Sequence, residues 1–92
     1  MDFNKNTILL VDDEPTNLKI LSNLLKEKYD LRVVKNGQQA IDLVAKGKLP
    51  DLILLDIVMP DIDGYSICEY FKTKENTKDI LLPFYLSFIL VN

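Results

Sequence analysis

The chain contains no histidine, and that absence closes several routes to catalysis. Ser-His and Cys-His nucleophile systems need an imidazole base, and the His-bearing zinc sites need it as a ligand. One cysteine, Cys68, leaves no internal disulfide and reads as a small buried apolar group. Positive charge is not in excess: 11 Lys and Arg against 14 Asp and Glu give a formal net charge of -3. Such a balance supplies no field for nucleic acid or for an anionic membrane surface. No apolar run approaches the ~20 residues that a bilayer-spanning helix needs. The first such run is short and ends in acids, so no secretory leader is expected and the chain is placed in the cytoplasm. Internal repeats and low-complexity tracts are also missing.

What is present fits one domain over residues 1–92, large enough for a real core. Its most informative stretch is Leu52-Ile-Leu-Leu-Asp56, followed by Ile57-Val-Met-Pro60-Asp-Ile-Asp-Gly64. A run apolar at every position, rather than alternating, suits a parallel strand buried on both faces. Asp56 is then delivered to the carboxyl end of a central strand, the end at which ligands bind in open α/β sheets. Ile8-Leu-Leu-Val11 is a second such run, and it ends in Asp12-Asp13-Glu14. If the two strands are parallel neighbours, three carboxylates converge. Unit charges ~4 Å apart at an effective dielectric of about 20 repel by roughly 4 kcal/mol per pair. The cluster therefore needs a cation, and oxygen-only ligands favour a hard ion such as Mg²⁺ over zinc.

Taken in order, Thr7 to Val11 reads as a first strand, and Pro15 opens a helix at the one place where its missing N–H is harmless. Leu18, Leu21, Leu24 and Leu25, with Ile20 beside them, stripe that helix to about Lys28. They read as core rather than as a zipper, since the helix holds too few heptads. Leu31 to Lys35 is a second strand, and Asn36-Gly37 a turn or cap. Ala40, Ile41, Val44 and Ala45 stripe a second helix that Gly47 ends. After the third strand, a helix from Tyr65 to about Lys74 is expected to bury Ile67, Cys68 and Phe71. Glu75 to Asp79 is a polar connector, and a fourth strand lies within about Ile80 to Leu86. Alternating strands and helices imply a parallel sheet with helices on both faces. From Ile80 to Val91 the chain carries twelve residues without a charge, too few to cross a bilayer.

Four features, in this order and spacing, resemble the response-regulator receiver domains of two-component signalling: Val11-Asp12-Asp13-Glu14-Pro15, Leu54-Leu55-Asp56, Met59-Pro60 and Asp63-Gly64. The resemblance covers Thr7 to Asp79, and residues 80–92 are atypical of it. It implies a three-layer, flavodoxin-like parallel sheet with strand order 2-1-3-4, lacking the last strand and helices. It also implies that Asp56 is the phosphoacceptor, taking a phosphoryl group from a histidine kinase, a phosphotransfer protein or a small phosphodonor. Asp13 would ligate Mg²⁺ directly, Asp12 through water, Asp56 by its carboxylate and Val58 by its main-chain carbonyl. Met59, Pro60 and Gly64 would shape the adjacent loop, and Ser87 would stand where the family places a switch hydroxyl. The family's strand-five lysine has no counterpart, because no lysine follows Lys78.

Other readings stay open beside this one. Asp12 and Asp13 would also favour a helix dipole from its N-terminal end. Asp61-Ile-Asp63-Gly64 has part of a calcium loop, but Tyr65 and Ser66 fall where that loop needs other residues. The same tetrapeptide occurs in haloacid-dehalogenase-like phosphatases, directly after a buried strand rather than after Pro60 and a loop. A receiver without its last elements would be a truncated one, leaving strand four as an apolar edge that invites pairing. A homodimer through strand four or the C-terminal tail is therefore expected. Three functions compete: a phosphoacceptor switch, a non-switching dimerisation or binding module, and a Mg²⁺-dependent phosphohydrolase. No direct contact with nucleic acid or membrane is expected.

Overall fold

In the computed structural model, which describes residues 5–57 and 64–84, seven elements alternate. They are β1 (Thr7–Val11), α1 (Pro15–Leu25), β2 (Asp30–Val34), α2 (Gly37–Ala45), β3 (Leu52–Asp56), α3 (Gly64–Lys72) and β4 (Leu81–Phe84). The four strands form one parallel sheet in the order β2-β1-β3-β4. The chain thus moves outward from β1 to β2 and then crosses back to β3 on the other side. That reversal opens a crevice between the carboxyl ends of β1 and β3.

Register decides which side chains share a face. Leu9 pairs with Ile53 and Val11 with Leu55, and these four are fully buried together with Ala40 of α2 and Ile67, Cys68 and Phe71 of α3. No residue of α1 belongs to that cluster. Ile8 and Leu10, of opposite parity in β1, are buried on the other face, as is Leu18 of α1. Period-2 alternation along the strands therefore builds the three layers.

Local chemistry fixes the helix ends. Pro15 occupies the first turn of α1, and the Glu14 side chain caps it by accepting the Thr16 N–H at 3.0 Å. Asn36 caps α2 by accepting the Gln39 N–H at 2.8 Å, while Gln39 Oε1 accepts the Lys35 N–H at 2.9 Å. Gly47, with φ of +83°, supplies the left-handed residue that stops α2. At the start of α2, Gly37 is buried directly against Ile67 of α3. A methyl group there would overlap Ile67 Cγ1, so the absence of a side chain sets how closely the two helices approach.

Several boundaries and side chains differ from the sequence reading. Helix α1 stops at Leu25 rather than near Lys28, with the Lys28 and Tyr29 N–H groups both donating to the Leu25 carbonyl. Leu24 is 69% exposed. At about 100° per residue, Leu18, Leu21 and Leu25 share a narrow arc and Leu24 stands well off it. Strand β2 begins and ends one residue earlier than expected. In the connector after α3, Thr77 is buried, and its hydroxyl donates to the Phe71 carbonyl at 2.6 Å, satisfying a helix-end acceptor. Strand β4 lies within the expected Ile80–Leu86 range, and residues 85 and 86 fall outside the described ones.

Candidate metal and phosphoryl site

Two neighbouring strands, β1 and β3, end on the same side of the sheet. Val11 lies opposite Leu55, so the next residues, Asp12 just past β1 and Asp56 at the last position of β3, stand side by side at the sheet's end. Asp12, Asp13 and Asp56 each present a carboxylate oxygen, and these oxygens all lie within 4.8 Å of one another. Asp12 and Asp56 are buried, and Asp13 is half-buried. The structure thus brings together the three acids picked out at the strand tips.

Asp12 divides its two oxygens between tasks. Oδ1 accepts the Glu14 N–H at 3.0 Å, which steadies the turn into α1. Its backbone N–H donates to the Val34 carbonyl at 3.2 Å, tying the tip of β1 to the end of β2. Oδ2 is buried and has no hydrogen-bond partner among the described residues. A buried acceptor left so costs on the order of 1–3 kcal/mol, more when it carries charge. The helix-dipole reading accounts for Oδ1 and leaves Oδ2 unexplained.

A divalent cation accounts for both the orphaned oxygen and the crowding. At 4.8 Å and an effective dielectric of about 20, each ionised pair repels by roughly 3–4 kcal/mol. The donor set is oxygen only, which suits Mg²⁺ or Ca²⁺ rather than a softer metal. The residues present therefore fit a hard cation. Gly64 stands at the first position of α3. Val58, Met59, Pro60 and Ser87 lie outside the described residues.

Comparison with known proteins agrees with this geometry. The chain matches the response regulator receiver domain family over residues 8–83, somewhat past the Asp79 limit read from the motifs, and it belongs to that family. Among its relatives are a probable cyclic di-GMP phosphodiesterase of Vibrio cholerae, 36% identical over 83 residues, and the response regulator PleD of Caulobacter vibrioides, 38% identical over 74. Those matches take in 90% and 79% of this chain but only 19% and 16% of the relatives. The chain therefore spans less than a fifth of either relative's length.

Solved structures give the same fold. A putative response regulator from Chloroflexus aurantiacus superposes with a TM-score of 0.79 at 32% identity, covering 87% of this chain and 66% of that one. The receiver domain of a sensor histidine kinase from Pseudomonas aeruginosa, with magnesium coordinated in its active-site cleft, gives 0.75 at 31% identity, covering 86% and 66%. Among the described residues, no helix is long and apolar enough to cross a membrane.

Proposed function

We propose that this chain is a two-component receiver that accepts a phosphoryl group on Asp56 with Mg²⁺. The observation that carries the reading is the convergence of Asp12, Asp13 and Asp56 at the β1/β3 crevice, with one buried oxygen unpartnered. A carboxylate oxygen of Asp56 attacks phosphorus, the P–N bond of a phosphohistidine or the P–O bond of a small acyl phosphate breaks, and the leaving group takes the bonding electrons. Phosphoryl transfer asks the protein for position and charge neutralisation more than for proton chemistry, which suits a site without a histidine.

By the resemblance to receivers, Asp13, Asp56 and the Val58 carbonyl would hold the cation, with Asp12 acting through water. A bound Mg²⁺ would supply positive charge against the acidic repulsion and the phosphoryl oxygens. Burial on strand tips keeps Asp56 pointed at the crevice, and the Asp12–Glu14 contact keeps α1 from drifting across it. The phosphodonor is a sensor histidine kinase or a phosphotransfer protein, and the domain works in the cytoplasm as a switch rather than by turnover. Residues 1–92 act as one unit.

Incubation with Mg²⁺ and acetyl phosphate tests this reading by intact-mass spectrometry. A lasting phosphoryl increment that disappears under EDTA is the expected result. No increment would favour the non-switching binding module, and repeated turnover of a phosphomonoester would favour a hydrolase.

The Asp12→Asn variant examines the metal separately. Asparagine keeps the oxygen that accepts the Glu14 N–H and puts an amide donor, facing carboxylates, where the orphaned oxygen stood. Thermal stability in EDTA is expected to rise. The gain on adding Mg²⁺, about 1.4 kcal/mol for the unaltered chain at tenfold excess over Kd, is expected to fall several-fold. A variant that keeps the whole Mg²⁺-dependent shift would place the cation elsewhere.

A further inference from the structure

Helices α2 and α3 both finish at the end of the sheet where the strands begin, opposite the acidic site. The loop after α2 reaches Asp51, whose N–H donates to the Thr7 carbonyl at 2.9 Å, at the first position of β1. Between the two helix ends lies a groove of about 350 Å³. Its floor is apolar, made by buried Phe71 and half-buried Ile41 and Val44, and its rim carries the exposed Tyr70, Lys74 and Asn76. The Lys74 ammonium stands 5.0 Å from the centroid of the Tyr70 ring, so a cation is already held at the mouth.

Charge gathers around this groove against the sign of the whole chain. Residues 41–48 and 70–79 carry five lysines, Lys46, Lys48, Lys72, Lys74 and Lys78, and three acids, Asp42, Glu75 and Asp79, on a chain whose formal charge is -3. Two of those acids are engaged: Glu75 pairs with Lys78 at 3.1 Å, and Asp42 accepts from Gln38 at 2.9 Å. A lysine in the last turn of a helix favours its dipole, and that explains Lys72. It does not explain Lys46, Lys48 and Lys74, which lie past the ends of α2 and α3. Nor do the helix ends turn bare acceptors on the groove. The Val44, Tyr70 and Phe71 carbonyls accept from the Gly47 N–H, the Thr73 hydroxyl and the Thr77 hydroxyl at 3.0, 2.8 and 2.6 Å.

We propose that this groove docks an acidic segment of a partner protein, seating one of its apolar side chains on Phe71, Ile41 and Val44 and turning its carboxylates toward Lys74 and Lys46. Lys46 stands between Ala45 and Gly47, both of which line the groove. In such an arrangement the buried anchor supplies affinity and the charged rim supplies orientation. Lys74, already resting on the Tyr70 ring, gives up little freedom on pairing. The groove is open on one side, which suits a side chain projecting from a larger partner better than a small ligand that must bury most of its own surface. A nucleic acid is a longer polyanion, and the net negative charge of the chain opposes it.

Titration of the full chain with the synthetic peptide Asp-Glu-Asp-Leu-Phe-Glu-Asp, followed by amide correlation NMR, tests this. Saturable shifts are expected to cluster on residues 44–47 and 70–77 and to weaken at high salt. Lys74→Glu is expected to weaken binding about tenfold without lowering the melting midpoint. Ala45→Trp, at an exposed position of the lining, fills the groove without changing a charge and is expected to abolish the shifts. The absence of saturable shifts, shifts confined to other surfaces, or binding indifferent to both variants would overturn the proposal. Equal binding of the same peptide with its acids replaced by lysines would overturn it as well. Phosphoryl incorporation on Asp56, at the opposite end of the strands, is expected to be unchanged in both variants, so the two readings fail separately.

Discussion

Asp56→Asn is expected to remove phosphoryl incorporation completely while leaving the fold intact. Asparagine matches aspartate in shape but replaces the attacking oxygen with an amide nitrogen that carries no nucleophilic charge, so no acyl phosphate forms at that position. The substitution also takes one negative charge out of a cluster whose oxygens lie within 4.8 Å of one another. The melting midpoint without Mg²⁺ is therefore expected to hold or rise, which separates loss of chemistry from loss of structure. Intact-mass spectrometry after acetyl phosphate treatment, with melting followed by circular dichroism, checks both halves. A full phosphoryl increment in the variant would move the acceptor to another residue, with Asp12 and Asp13 of the same cluster as the candidates.

Phe71→Ala is expected to produce the largest loss of stability of any single truncation described. Phe71 is fully buried in α3, in the cluster that includes Ile53 and Leu55 of β3 and Ala40 of α2. Its ring also meets Tyr70 edge-on, with centroids 5.6 Å apart. Phe-to-Ala truncations of this kind cost about 3–5 kcal/mol, part transfer and part residual cavity. A domain of this size has roughly 5–15 kcal/mol in total, so the variant forfeits about a fifth of it or more. The melting midpoint is expected to fall by roughly 12 °C or more. A change below about 1 kcal/mol in urea titration would show that α3 does not rest on the sheet as described.

The two central strands were legible because their chemistry is unambiguous. Thr7–Val11 and Leu52–Asp56 are continuous apolar runs stopped by acids, and both have the expected bounds. Burial of Ile67, Cys68 and Phe71 on α3 also follows from helical spacing. The adjacency of β1 and β3 does not follow from either strand alone, since nothing local in Ile8–Val11 specifies which strand lies beside it. That order came from the resemblance to receivers, and the register then brings the acids together.

Elsewhere the sequence signal was weaker for identifiable reasons. The edge strand β2 is only partly covered, and with Val33 exposed its pattern leaves the ends loosely marked. Leu24 looked like core because leucine is apolar, yet on a short helix that touches the sheet along one arc only the angle decides. Thr77 sat in a run of polar residues, and nothing in its neighbours announced that its hydroxyl would close the end of α3. At the acidic site, the resemblance gave Asp12 and Asp13 different roles, and the structure adds that the Asp12 carboxylate is split between a turn contact and an unpartnered oxygen.

The meeting of Gly37 with Ile67 makes the two positions interdependent. Enlarging the first is harmful only while the second keeps its branched side chain, because the three atoms nearest an added methyl all belong to Ile67. Gly37→Ala alone is expected to cost about 1–3 kcal/mol through overpacking. In an Ile67→Ala background the same change should cost less, with a coupling of roughly 0.5–3 kcal/mol in a double-mutant cycle. Strict additivity would mean the helices can slide apart freely. Any redesign of this domain must therefore treat residues 37 and 67 as one volume shared between two helices, to be divided but not increased.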